Sequence, residues 1–233
     1  MTPTESLNDF DLGGIDCEEC HNTGMISAIG ENGELVSHEC PCMNKRRAMR
    51  RIRQSGMSDL IRRYTFENYH AETDEQKKIL EKARTFAEAD EGWFCISGQS
   101  GSGKSHICTA AVGRLIERNK DVYYMPWRDE STLLKSLITD AQEYERRMEK
   151  LKRVAVLYID DFLKGGDSDA DIRLAYEILN YRYNDTRLRT ILSSEITLEQ
   201  LKHRDEALCG RIYERARGYV LQAPEKNLRF QTR

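Results

Sequence analysis

Gly98-Gln99-Ser100-Gly101-Ser102-Gly103-Lys104-Ser105 constrains this chain more than any other stretch. It meets the pattern G-x-x-x-x-G-K-[ST] at every fixed position. The glycines permit a tight turn in which successive backbone N–H groups converge on one point. With the N-terminus of a following helix, those donors form an anion site suited to a nucleotide's phosphates. Lys104 is placed to reach the β- and γ-phosphates, and the Ser105 hydroxyl to ligate Mg²⁺. The flanks agree. Trp93-Phe94-Cys95-Ile96-Ser97 reads as a short buried strand, and Ile107, Ala110, Ala111, Leu115 and Ile116 recur at helical spacing. A glycine-serine linker that binds nothing has no need of a strand before it and a helix after it.

A second apolar run, Val154-Ala155-Val156-Leu157-Tyr158-Ile159-Asp160-Asp161, ends in two carboxylates, the Walker B pattern. Its lack of polar alternation predicts a central parallel strand buried on both faces. Asp160 is the candidate Mg²⁺ partner, and Asp161 the group that orients the attacking water; the bland alternative is a helix-capping turn. Val122-Tyr123-Tyr124-Met125 and Thr190-Ile191-Leu192-Ser193-Ser194 read as further strands, the latter ending in small polar groups where a γ-phosphate sensor would lie. Helical patterns cover a long region 129–151, then Asp171–Asn184 and Leu198–Lys202. Alternating strands and helices predict an α/β fold, a parallel sheet flanked by helices.

Ahead of this lies a cysteine cluster. Cys17-Glu18-Glu19-Cys20 and Cys40-Pro41-Cys42 are separated by two short apolar stretches and Asn32-Gly33, a hairpin turn signal. A hairpin brings the two pairs together as four thiolates for a tetrahedral Zn²⁺. So short a module has too few apolar residues for a core, and metal ligation supplies the missing folding energy. His21 and His38 flank the pairs as substitute ligands, and a redox dithiol at Cys17/Cys20 is the alternative that the second pair argues against. The run Lys45-Arg46-Arg47-Ala48-Met49-Arg50-Arg51-Ile52-Arg53 follows. It suits nucleic-acid phosphates and equally a solvated helix touching a partner protein.

The 233 residues leave room for a small N-terminal module, residues 1–55, and a larger nucleotide-binding domain, residues 56–233. A net charge of −3 means that nucleic-acid binding rests on local patches, not on the whole-chain field. No apolar run reaches the roughly 18 residues of a membrane span. Met1–Asp11 is polar and acidic, without a signal-peptide core, so the expected compartment is the cytoplasm. There the seven cysteines stay reduced, and Cys95, Cys108 and Cys209 read as small core residues.

One ordered set carries a family resemblance: Tyr64-Thr65-Phe66-Glu67-Asn68-Tyr69, the phosphate loop followed by His106, Leu157-Tyr158-Ile159-Asp160-Asp161-Phe162, Tyr181-Arg182-Tyr183, and Thr190-Ile191-Leu192-Ser193-Ser194. Over residues 64–230 it resembles the AAA+ ATPases of the DnaC/DnaI helicase-loader group, and the IstB transposition ATPases share much of this core. A cysteine-rich module ahead of the core is similar to that of loader-type proteins in Gram-positive bacteria and their phages. The resemblance implies an ATPase that binds ATP and Mg²⁺ at the interface of a homo-oligomer. It would help open the ring of a replicative hexameric helicase and place it on single-stranded DNA, with the zinc module docking the helicase.

Carried over by position, Gly98 to Ser105 and His106 line the nucleotide, and Asp160 and Asp161 form Walker B. Arg211 takes the arginine-finger position, with Arg215 one helical turn later as a second candidate, and Arg229 takes the sensor-2 position. The chain departs from the pattern in three places. Walker B ends Asp-Asp instead of Asp-Glu, which implies slow hydrolysis. Glu195 stands where the family often has Asn, so a carboxylate would face the γ-phosphate and the sensor-1 role passes to Ser194 or is lost. Asn227-Leu228-Arg229 replaces the usual Ser-Tyr-Arg. The competing readings are an IstB-like transposition helper acting on duplex DNA, a small-molecule kinase, and a zinc adaptor with a degenerate ATPase fold.

Overall fold

The computed structural model describes residues 17–30, 33–43, 46, 47, 50, 53, 56–166 and 168–225. Four features read from the sequence lie outside these residues: the acidic N-terminus, Asn32 of the turn, much of the basic run, and Arg229.

The N-terminal hairpin pairs β1 (Met25–Ile29) antiparallel with β2 (Leu35–Glu39), in a register that sets Met25 opposite Glu39 and Ile29 opposite Leu35. Gly33 sits at φ 82°, a left-handed turn conformation that glycine adopts without a Cβ clash, and its N–H donates to Gly30 O at 3.0 Å. The strands have no core of their own, since Ile29 and Leu35 are 78% and 75% exposed. What the module buries is sulfur: Cys20, Cys40 and Cys42 are the buried centre, with Ile26 and Met43 packed against them.

The larger unit begins with α1 (Ser58–Arg63) and α2 (Asp74–Glu88). Thr73 and Gln76 form a reciprocal capping box that starts α2. Five strands follow: β3 (Phe94–Ser97), β4 (Val122–Pro126), β5 (Val156–Asp160), β6 (Arg189–Ser194) and β7 (Val220–Gln222). They lie in the order β4-β5-β6-β3-β7, and every pairing is parallel. The helices between them are α3 (Lys104–Glu117), α4 (Trp127–Ser136), α5 (Ala141–Arg153), α6 (Asp169–Tyr183), α7 (Leu198–Arg204) and α8 (Glu206–Arg215).

Successive strand side chains point to opposite faces, and here both faces are apolar. Phe94, Ile96, Val156, Tyr158 and Ile191 join one core with Ile79, Phe86, Ile107 and Leu115 of α2 and α3. Cys95, Leu157, Ile159 and Leu192 join the other, with Trp127, Leu134, Leu151, Ile178 and Ile212 of α4, α5, α6 and α8. The three single cysteines, Cys95, Cys108 and Cys209, are buried as expected.

One expectation needs correction. The helical region 129–151 is not continuous. It breaks at a 3₁₀ turn, Leu137–Thr139, and restarts at Asp140, whose carboxylate accepts from Glu143 N–H at 3.2 Å as an N-cap. Strand β7 and helices α1, α2 and α8 extend the fold beyond the elements read from the sequence. Among the described residues no helix is long and apolar enough to cross a membrane.

Candidate nucleotide site and cysteine centre

In an open parallel sheet the ligand crevice lies beyond the carboxyl ends of the strands, where connections diverge. β3 sits between β6 and β7, but the chain leaves it to form the distant edge strand β4. The loop 98–103 occupies that divergence. Gly98, Gly101 and Gly103 all take positive φ, 146°, 79° and 89°. At Gly98 a Cβ would meet Ala223 Cβ at 3.0 Å and its carbonyl O at 3.2 Å, so a side chain there is excluded by sterics as well as by backbone conformation. Gly103 is the N-cap of α3 and offers no side-chain cap. The first N–H groups of that helix are therefore left for an anion.

The Lys104 ammonium, 5% exposed as a residue, arches over the loop and donates to Gly98 O at 2.7 Å and Gln99 O at 2.8 Å. Burial lowers its pKa from the ordinary lysine value, opposed by the carboxylates of Glu195 and Asp161. The Ser105 hydroxyl donates to Asp160 Oδ1 at 3.1 Å. Three more hydroxyls converge on Asp160: Tyr158 at 2.7 Å and Ser193 on Oδ1, and Tyr124 at 3.0 Å on Oδ2. Converging N–H groups, a lysine, and a hydroxyl beside a carboxylate match what a magnesium nucleotide demands.

The remaining nucleotide-site candidates are placed less uniformly. Asp161 lies on the turn after β5 and pairs with Lys164 at 3.1 Å. The Ser194 hydroxyl is buried and turned away: it donates to Phe162 O at 2.9 Å and accepts from Ile196 N–H at 3.0 Å. Its neighbour Ser193 meets Asp160 and also accepts from Asp161 N–H at 3.0 Å. The His106 Nε2 lies 3.0 Å from Thr65 O and 2.9 Å from Asn68 Oδ1, with Tyr64 and Tyr69 packed against the ring. Both partners are acceptors, so Nε2 carries the proton and His106 pins segment 64–69 to α3. Burial lowers its pKa.

Arg211 is half-buried on α8, donating to Asn180 Oδ1 at 2.9 Å and lying 4.8 Å from the centre of the Tyr176 ring. Arg215 is committed to structure, donating to the carbonyls of Asp185, Thr186 and Leu188. Sequence reasoning missed Ser193, Tyr124, Tyr158 and Lys164. Tyr158 was within reach, because it lies two residues before Asp160 and so shares its face of the strand. Tyr124 depends on the pairing of β4 with β5, which sets it opposite Tyr158.

In the N-terminal module the four sulfurs of Cys17, Cys20, Cys40 and Cys42 all lie within 4.8 Å of one another. The Cys17–Cys40 and Cys20–Cys42 separations are 3.7 and 3.6 Å. Thiolates about 2.3 Å from one tetrahedral Zn²⁺ lie about 3.8 Å apart, so the cage fits that ion. Neither His21 nor His38 belongs to the cluster. Against burial, hydrogen bonds to the Gly24 backbone and to the other thiols draw Cys20 down to about 6. Against the Cys42 backbone N–H, burial and the three neighbouring thiols push Cys40 up to about 12. Two arginines of the basic run serve this module: Arg46 is buried and donates to Asn22 Oδ1 at 2.9 Å, and Arg47 pairs with Glu39.

Residues 26–232 match the IstB-like ATP binding protein family. The phage-like element PBSX protein XkdC of Bacillus subtilis is 30% identical, over 94% of this chain and 85% of its own length. The replicative helicase loader DnaC of Escherichia coli K12 is 27% identical, over 78% of this chain and 76% of its own. Among solved structures, the crystal structure of the DnaC helicase loader superposes with a TM-score of 0.64 at 22% identity, covering 70% of this chain and 98% of that one. The fold is thus that of the solved DnaC structure.

Proposed function

This chain belongs to the IstB-like ATP-binding family, and from that footing we propose that it is an ATP-dependent loader of a replicative hexameric helicase onto single-stranded DNA. The observation that carries the ATP half of the reading is Ser105 donating to Asp160 beneath the Lys104 loop. Mg²⁺ would be held between Ser105 and Asp160, neutralising phosphate charge. Lys104 and the α3 N–H groups bind the phosphates, and Asp161 orients the attacking water. Hydrolysis is slow on this reading, because the short Asp161 side chain is already engaged by Lys164. Four thiols leave no open position on Zn²⁺, so the metal folds the module and does no chemistry.

The helicase half is supported by the relatives named as loaders, and by a cysteine hairpin whose apolar residues Met25, Ile29, Leu35 and Val36 are left exposed. The likeness to a protein of a phage-like element supports a loader serving a mobile element's own replication. The family's name leaves one other reading, an IstB-like transposition helper ATPase that acts on duplex DNA.

Native mass spectrometry of the zinc-loaded chain with its cognate replicative helicase, with and without ATP, separates the two. A stoichiometric complex, lost on deleting residues 1–55, is the expected result, and Lys104→Ala should lose ATP-dependent changes in it. No complex in either state, with ATP-dependent assembly on duplex DNA alone, would overturn the loader reading in favour of the second.

A further inference from the structure

Three charged side chains meet at the edge of the phosphate loop. Lys164 Nζ lies 2.8 Å from Glu195 Oε1 and 3.1 Å from Asp161 Oδ2. Glu195 follows Ser194, whose carbonyl accepts the Gly98 N–H at 3.1 Å, so it stands beside the first residue of the loop. Glu195 and Asp161 are also the two carboxylates that act most strongly on the Lys104 ammonium, and Lys164 is the cation that opposes them. The end of a nucleotide that Lys104 contacts is the terminal phosphate end. Two uncompensated carboxylates there would repel it.

The chain reaches this arrangement through an uncommon backbone. Asp161 has φ 52° and Leu163 φ 59°, a region that non-glycine residues rarely occupy. The turn is held against β6: Asp161 N–H donates to Ser193 Oγ at 3.0 Å, Phe162 N–H to Ser193 O at 2.8 Å, and Ser194 Oγ to Phe162 O at 2.9 Å. Lys164 N–H then closes onto Asp161 O at 2.9 Å, which returns the lysine to the side of the aspartate.

We propose that Lys164 is a positioning residue that ties Asp161 to Glu195 and cancels the charge of Glu195, so that the site accepts the terminal phosphate of ATP with a carboxylate at position 195. The inference rests on the ATP reading of the loop. It explains how Glu195 is tolerated: the chain supplies a carboxylate and its counter-ion together, in place of one neutral amide.

The side chains of Lys164, Asp161 and Glu195 are 42%, 41% and 33% exposed, so their pairing contributes little to folding and the variants should fold. The test is calorimetric titration of Mg²⁺-ATP and Mg²⁺-ADP into the full chain, beside thermal melts. Lys164→Met should weaken ATP about tenfold and ADP less than about twofold. Adding Glu195→Gln to Lys164→Met should restore ATP affinity to within about threefold of the wild type, and Lys164→Arg should retain it. Unchanged ATP affinity in Lys164→Met, equal weakening of both nucleotides, or no rescue by Glu195→Gln would each overturn the proposal. A wild-type chain that binds neither nucleotide would instead overturn the ATP reading, and the role of Lys164 with it. If Lys164→Met does not fold, the Lys164→Arg and Glu195→Gln single variants carry the test: both must bind ATP at least as well as the wild type.

Discussion

Two adjacent serines at the end of β6 have opposite duties. Ser193 donates to Asp160 and accepts from Asp161 N–H, joining both Walker B residues. Among the described residues the Ser194 hydroxyl bonds backbone groups alone, Phe162 O and Ile196 N–H. Successive strand residues face opposite sides, so one serine of the pair must miss the site. Ser193→Ala leaves a part-buried N–H without its acceptor, at a cost of about 1–3 kcal/mol. It should also lower ATP hydrolysis about tenfold, by freeing Asp161 from its turn. Ser194→Ala should cost a similar stability yet leave hydrolysis per folded molecule within about twofold. Denaturant melts and steady-state ATPase rates on both variants check this; equal losses of hydrolysis would return the sensing role to Ser194. The phosphate loop was legible because its spacing is fixed by local backbone geometry. Ser193, Tyr124 and Lys164 were not, because their roles depend on which strand lies beside β5 and on how a four-residue turn closes.

Elements were legible wherever burial forces a pattern. β3, β5 and β6 lie between two helix layers: β3 and β5 read as apolar runs ending in one polar residue, and β6 shows the short run Ile191-Leu192 between Thr190 and Ser193. β7 has three residues, half-exposed, and too few positions to show any period. The break between α4 and α5 was signalled only by Asp140, whose capping bond outweighs a helical pattern that continues on either side. The hairpin is the opposite case: its strands are almost wholly exposed, so their pairing is secured by the cysteine cage at their base and not by a packed face. Zinc binding to such a cage is folding energy, on the order of 10 kcal/mol. Cys20→Ser, or a strong chelator, should therefore release one equivalent of zinc and expose residues 17–43 to protease. The thermal transition of the larger unit should shift by less than about 3 °C, because the sheet and its two cores draw on none of these residues. Zinc release by a colorimetric chelator, limited proteolysis and calorimetry read the three effects. Loss of both transitions together would show that the module is part of the larger unit's fold.

At the scale of the whole molecule, the nucleotide site is built from one side only. Lys104 and Ser105 open α3, Asp160 ends β5 and Asp161 lies on the turn after it, while the arginine that the family pattern assigns to the phosphates, Arg211, lies on α8. Its described partners are Asn180, Ala207 and the rings of Tyr176 and Tyr183, none of them in the loop. A cation held by aromatic faces, one side-chain amide and one backbone carbonyl, and still half-exposed, keeps donors free for an anion brought by another molecule. Arg215, by contrast, turns its Nη2 to three carbonyls of its own subunit and buries its Nε. If Arg211 serves a neighbour's nucleotide, each single defect is complementable. Arg211→Ala should bind ATP with wild-type affinity and hydrolyse it at least about tenfold more slowly when assembled. Lys104→Ala should bind no nucleotide. Mixing the two inactive variants should recover part of the activity, because an Arg211→Ala subunit holds the ATP and a Lys104→Ala neighbour supplies the arginine. Arg215→Ala, which breaks contacts within one chain, should lose stability and gain nothing in the same mixture. An assembled Arg211→Ala protein that hydrolyses ATP at the wild-type rate, or a mixture no more active than its parts, would confine the site to a single subunit and leave Arg211 a surface charge on α8.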